Sequence, residues 1–201
     1  MIKIVSDTTT GLTREMAAPY GIDIVSQIVN FGSETLRDGI DITNEVFLQR
    51  LKMSKEFPTT SQPPAGDFVE VFRPHLDAGH EVLCITVSSG LSGTYSSAVT
   101  AREQLGTDRV TVVDSRTVAA AETLIVWEAA RLVKEGKAMA DIVARLDQWI
   151  AGMRLDFVLN TIEYLVKGGR ASSLQGLLGT LLQMKPIFTI RNGTGKIDVL
   201  A

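Results

Sequence analysis

Short β-branched runs that end in hydroxyl or acidic residues, each followed by a helical stretch, constrain this chain most. Ile2–Val5 runs into Ser6-Asp7-Thr8-Thr9-Thr10. Val82–Val87 runs into Ser88-Ser89-Gly90-Leu91-Ser92-Gly93-Thr94. Val110–Val113 runs into Asp114-Ser115. Apolar runs of this length, bounded by turn residues, read as buried strands. Helices are predicted from Thr13 to Gly21, over Asn44–Lys52 behind a Thr43 cap, and over Ala65–Ala78 and Tyr95–Leu105. Two longer ones follow over Ala119–Glu135 and Ala140–Met153. Strands that alternate with helices predict an α/β fold: a mostly parallel sheet flanked by helices, joined by right-handed crossovers.

The rest of the chain is less regular. Ile22–Phe31 is a second apolar strand region. Phe57-Pro58-Thr59-Thr60-Ser61-Gln62-Pro63-Pro64 is bracketed by prolines and reads as a loop. The pattern changes at Asp156. Phe157–Thr161 reads as a strand, Glu163–Val166 as a short turn of helix, and Gly168–Ser173 as a break. An apolar helix is expected over Leu174–Leu182. Two strands, Pro186–Ile190 and Ile197–Leu200, flank an Asn192-Gly193 turn. Residues 1–155 therefore read as one α/β domain and 156–201 as an incomplete second α/β domain, because a terminal hairpin is marginal alone.

Composition excludes several classes. Of 201 residues, 45% are hydrophobic and 21% charged, too apolar for a disordered chain. The net charge of −3, with Lys and Arg scattered, offers no patch for nucleic acid or an anionic membrane. No apolar stretch is long enough for a membrane span, and Met1–Val5 lacks the features of a signal peptide. The single cysteine, Cys84, lies in an apolar run and reads as a buried thiol. A cytoplasmic setting is the expectation.

The chemistry points to the strand ends. In an open parallel sheet, ligands bind outside the carboxyl ends of the strands. Ser6-Asp7, Ser88-Ser89 and Asp114-Ser115 either converge on one site or cap the next helices. In the loop Ser88–Thr94, Gly90 and Gly93 let backbone approach a ligand. Ser89, Ser92 and Thr94 supply donors at a helix N-terminus, which suits a phosphate or carboxylate. Thr59-Thr60-Ser61-Gln62 supplies a second set of neutral donors. Neither loop is a P-loop or a dinucleotide fingerprint. His75 and His80 are not spaced as a metal pair. Gly90-Leu91-Ser92-Gly93-Thr94 approaches a nucleophile elbow, but Thr94 replaces its last glycine. An enzyme, a hydrolase or phosphotransferase using Ser92 on a small anionic substrate, is thus the alternative to a binding protein. Arg170, between glycines and small residues, is a candidate for pairing an anion, pinning two domains or meeting a partner. The segment Leu174–Leu182 is either core or the wall of a lipid tunnel.

Seven motifs occur in the order found in one family. Ser6-Asp7-Thr8-Thr9, Asp38-Gly39-Ile40-Asp41-Ile42-Thr43, Pro58-Thr59-Thr60-Ser61-Gln62-Pro63 and Ser88-Ser89-Gly90-Leu91-Ser92-Gly93-Thr94-Tyr95 are four of them. Asp114-Ser115, Tyr164-Leu165-Val166-Lys167-Gly168-Gly169-Arg170 and Lys185-Pro186-Ile187 complete the set. From residue 2 onward the chain resembles the DegV family. The resemblance implies a fatty-acid-binding protein of two α/β domains, with the tail in a tunnel between them. It implies that Thr60 and Ser92 hold the carboxylate, with Ser61, Gly93 and Thr94 beside them. It also implies a separate bacterial fatty acid kinase that phosphorylates the bound carboxylate, with Arg170 at the head-group mouth or facing that kinase. No further cofactor is implied. Family members run further than residue 201 and carry a histidine near the carboxylate in that part. His75 and His80 match no such motif.

Overall fold

The computed structural model describes residues 1–54, 57–170, 185–191 and 193–200. The strands, in chain order, are β1 (Ile2–Asp7), β2 (Ile22–Val25), β3 (Ile28–Phe31), β4 (Glu34–Arg37) and β5 (Thr59–Ser61). Then come β6 (Glu81–Thr86), β7 (Val110–Asp114), β8 (Arg154–Val158), β9 (Ile187–Arg191) and β10 (Ile197–Val199). The helices are α1 (Arg14–Ala17), α2 (Asn44–Met53), α3 (Ala65–Asp77) and α4 (Thr94–Leu105). They continue with α5 (Ala119–Lys134), α6 (Met139–Gly152) and α7 (Glu163–Lys167).

Four strands form a wholly parallel sheet in the order β2-β1-β6-β7. Its side chains alternate between two buried faces. Ile4, Leu83 and Ile85 pack with Ile125 and Val126 of α5 and Ile142 and Leu146 of α6. Val5, Val82 and Cys84 point the other way, against Phe68 and Phe72 of α3 and Ala98 and Ala101 of α4. Burial on both faces is why these strands read as continuous apolar runs. The α/β expectation holds: the parallel sheet is a middle layer between two helical layers. Cys84 is buried in it, and burial pushes its thiol well above the usual range. Among the described residues, no helix is long and apolar enough to cross a membrane.

Three boundaries differ from the sequence expectation. Ile22–Phe31 is not one strand region. The chain leaves the parallel sheet after Val25, and Ile28–Phe31 enters a separate antiparallel sheet of order β4-β3-β5. The proline-bracketed loop contains a strand, because Thr59–Ser61 sit between the prolines with their N–H groups free to pair with β3. The strand expected over Phe157–Thr161 begins earlier, at Arg154. Arg154 and Asp156 pair on its exposed side while Leu155 and Phe157 face inward, so charge masked the alternation. The expected helix Leu174–Leu182 and residue Asn192 lie outside the described residues.

The third sheet, β10-β9-β8, is antiparallel. Its Phe188, Ile190 and Ile197 share an apolar cluster with Leu91, from the turn after β6, and Val118, from the turn before α5. The last part of the chain thus packs onto the carboxyl edge of the parallel sheet.

Candidate functional site

The turn after β6 is fastened from three sides. Ser88 Oγ donates to the Gly195 carbonyl at 2.7 Å and accepts from Gly90 N–H at 3.1 Å. A Cβ at Gly90 would stand 2.6 Å from the Thr194 carbonyl oxygen, so only glycine lets the β9–β10 turn seat there. Ser89 Oγ donates to Asp114 Oδ2 at 2.5 Å, and Asp114 Oδ1 also accepts from Arg116 N–H. Ser115 is buried and bonds within its own turn to Thr117. Ser6, also buried, donates to the Ile85 carbonyl at 2.8 Å across the sheet. The three strand-end turns do converge, but Ser6, Ser89, Asp114 and Ser115 have their hydroxyls and carboxylate bonded to protein.

Ser92 and Thr94 stand at the start of α4. Their hydroxyl oxygens are 2.8 Å apart. Thr94 is fully buried and receives a bond from the Gln27 side-chain amide at 2.9 Å. Gln27 lies just after β2, and its own N–H is held by Thr8 Oγ1. The partner of Ser92 is therefore a hydroxyl rather than a base. His75 is engaged elsewhere, 2.6 Å from Asp23.

Beneath these groups lies a buried acid pair. Asp7 accepts from the backbone N–H groups of Thr9 and Val87 and from Thr9 Oγ1 at 2.5 Å. Thr9 Oγ1 is also 2.8 Å from Glu122 Oε2, while Glu122 Oε1 is buried without a hydrogen-bond partner among the described residues. Burial raises both carboxyls, and the neighbouring Asp7 adds to the rise at Glu122. Asp7 has two backbone donors to stabilise its charge and Glu122 has none, so Glu122 is the member that keeps a proton.

Two cavities meet at Ser92. One, of about 280 Å³, runs between this edge and the last sheet, past Gln27, Leu91, Val118, Leu165 and Ile197, and is mostly apolar. The other, of about 390 Å³, is an open mouth lined by Gly90–Gly93, Gly168–Arg170 and Lys196. Arg170 borders both. Its Nε donates to the Leu91 carbonyl at 3.2 Å and its Nη1 to the Gly168 carbonyl at 2.6 Å, which ties the end of α7 to the Ser92 loop. Thr60 and Ser61 are exposed on β5. Gln62 next to them lies against Gly93, where a Cβ would stand 2.9 Å from the glutamine side chain. Phe57 stacks on Tyr164 of α7, with ring centroids 5.7 Å apart. The Thr60 segment is thus brought beside the Ser92 loop.

Gln27, Glu122 and Lys196 were not singled out from sequence, and Thr9 was read only as part of the Ser6-Asp7-Thr8-Thr9 motif. Glu122 carries a usable signal: with Ile125, Val126 and Ala129 it falls on the buried stripe of α5, where a lone acid is anomalous. Gln27 gives no such signal, since its partner Thr94 is distant in sequence. Among the described residues, no group of His, Cys, Asp and Glu is placed to hold a metal ion.

The chain is similar to known proteins along its length. A DegV domain-containing protein of Clostridium perfringens is 32% identical over 192 residues, covering 96% of this chain and 69% of that protein. The structure of a DegV family protein from Thermus thermophilus, described by its fatty acid binding, matches with a TM-score of 0.90 and 33% identity. It covers 100% of this chain and 70% of that one. A stearic acid-binding protein from Eubacterium ventriosum matches with a TM-score of 0.91 and 29% identity, again over 100% of this chain and 70% of that one. The family profile described as uncharacterised protein, DegV family, matches residues 1–201, and the chain belongs to the DegV family.

Proposed function

We propose that the protein binds a long-chain fatty acid, with its carboxylate on the hydroxyls of Ser92 and Thr60 and its tail in the apolar cavity. The observation that carries this reading is the junction of the two cavities at Ser92: an apolar space that ends at a hydroxyl and opens to a polar mouth. Tail burial contributes about 0.8 kcal/mol per CH₂, so the head group needs few bonds. The fatty acid binding described for the relatives from Thermus thermophilus and Eubacterium ventriosum supports the same ligand class.

The protein acts as a carrier, not an enzyme. The mouth leaves the carboxylate reachable, and Arg170 and Lys196 beside it suit a phosphoryl group arriving from a separate fatty acid kinase. No metal or cofactor is required on the carrier. Native mass spectrometry with lipid extraction tests the reading. The expected result is one long-chain fatty acid per chain, and acyl phosphate once a fatty acid kinase and ATP are added. A folded protein that carries no fatty acid and takes none up from solution overturns it. Turnover of a small anionic ester by the protein alone, abolished in Ser92→Ala, favours the hydrolase instead.

A further inference from the structure

We propose that Gln27 is a positioning residue that turns the Ser92 hydroxyl proton outward into the cavity, so that the site prefers a carboxylate head to an alcohol. The inference rests on the fatty-acid reading and deepens it by naming what sets head-group choice.

It follows from counting protons along one chain of hydrogen bonds. The Gln27 side-chain nitrogen is 2.9 Å from Thr94 Oγ1, while the Gln27 side-chain oxygen is 3.4 Å from the same atom. The shorter contact fixes the orientation of the amide: its NH₂ end bonds Thr94. Asp7, whose charge the Gln27 side chain also helps to stabilise, receives three donors, from Thr9 N–H, Thr9 Oγ1 and Val87 N–H. Thr94 accepts from Gln27, and its single proton goes to Ser92 Oγ, 2.8 Å away. The Thr94 N–H adds a weaker approach to the same oxygen at 3.4 Å. Ser92 Oγ therefore receives, and its own proton has no acceptor among the described residues.

The other end of the chain supplies the reference charge. A threonine hydroxyl has one proton, and Thr9 Oγ1 is within bonding distance of both Asp7 Oδ1 and Glu122 Oε2. Both contacts are satisfied when protonated Glu122 donates to Thr9 and Thr9 donates to Asp7. Asp7 is then a fixed negative charge near the amide, which favours the NH₂ end of Gln27 turned inward onto Thr94 and the Thr94 proton turned toward Ser92. A donor without an acceptor at the edge of an apolar cavity matches a carboxylate, because hydrogen bonds to a charged acceptor are the stronger kind.

The test is the ratio of affinities for palmitate and 1-hexadecanol, measured by displacement of a fluorescent lipid from the wild type, Gln27→Glu and Gln27→Met. In Gln27→Glu the new carboxyl, beside Asp7, offers Thr94 an acceptor. The Thr94 and Ser92 protons then run inward, and Ser92 faces the cavity as an acceptor. The palmitate-to-hexadecanol preference is expected to fall roughly tenfold or more, as one charge-assisted bond is lost. In Gln27→Met the bias is removed but not reversed, and the preference falls by less. A merely structural Gln27 weakens both lipids in proportion. An unchanged ratio in both variants overturns the inference while leaving the fatty-acid reading intact. If Gln27→Glu does not fold, Gln27→Met decides alone. Failure of the wild type to bind either lipid overturns the fatty-acid reading and this inference with it.

Discussion

The two hydroxyl-bearing segments beside the cavity are held in opposite ways. The Ser88–Thr94 turn grows from a strand buried on both faces, and its polar groups are bonded to Gly195, Asp114, Gln27 and Arg170 before any ligand arrives. Thr59–Ser61 is an exposed three-residue strand in a small sheet. Among the described residues it meets the site through Gln62 against Gly93 and through Phe57 against Tyr164 and Lys167 of α7. A preorganised donor loses little freedom on binding, whereas an exposed one must be ordered. On the proposed reading, Ser92 sets affinity and Thr60 adds to it.

That contrast makes Ser92→Ala the variant with the largest effect on binding. Losing a hydrogen bond to a charged head group costs about 1.5–3 kcal/mol, so palmitate affinity falls roughly ten- to hundredfold in a displacement titration, with the fold intact. Gly195→Ala attacks the anchor of the same turn. Gly195 has a φ of +60°, and a Cβ there would collide with Ser88 Oγ. Left-handed backbone alone costs a non-glycine residue about 1–2 kcal/mol. The thermal midpoint is expected to drop and fatty-acid binding to weaken, while the far-UV circular dichroism of the parallel core persists.

Glu122→Gln sharpens the picture through pH. Burial and Asp7 raise the folded-state pKa of Glu122 above its unfolded value near 4.5. Below that value the proton is bound in both states and nothing is lost. As pH rises past it, the unfolded chain releases a proton that the fold keeps, so stability falls until the folded-state pKa is passed. Glutamine has no proton to release. The variant should match the wild type near pH 4 and exceed it increasingly toward pH 8 in thermal melts. A constant offset at every pH would contradict a protonated Glu122. The smallest effect is expected from Thr60→Val, where the loss of an exposed hydroxyl costs about 0.5–1.5 kcal/mol of binding. A loss equal to that of Ser92→Ala would break the contrast.

Much of the parallel core was legible because its signals are local. Continuous β-branched runs marked β1, β6 and β7. Thr13 and Thr43 were readable as helix caps, and both accept the expected backbone bonds, from Met16 and Val46. The β4-β3-β5 sheet was not legible, since what makes Thr59–Ser61 a strand is its distant partner β3. In the site, the hydroxyl loops could be found from turn chemistry. Of the groups beneath them only Glu122 left a signal, on the buried stripe of α5; their pairing was not legible, because Gln27 meets Thr94, and Thr9 meets Glu122, only once the sheet has formed.

A crystal structure of the protein with stearate would locate the head group outright. On the proposed reading, the carboxylate is expected within about 3.2 Å of Ser92 Oγ, within reach of the Thr60 hydroxyl, with the tail running past Leu91 and Val118. Stearate in the larger cavity of about 660 Å³ beside Asp23 and His75, or lying with its carboxylate away from Ser92, would contradict it.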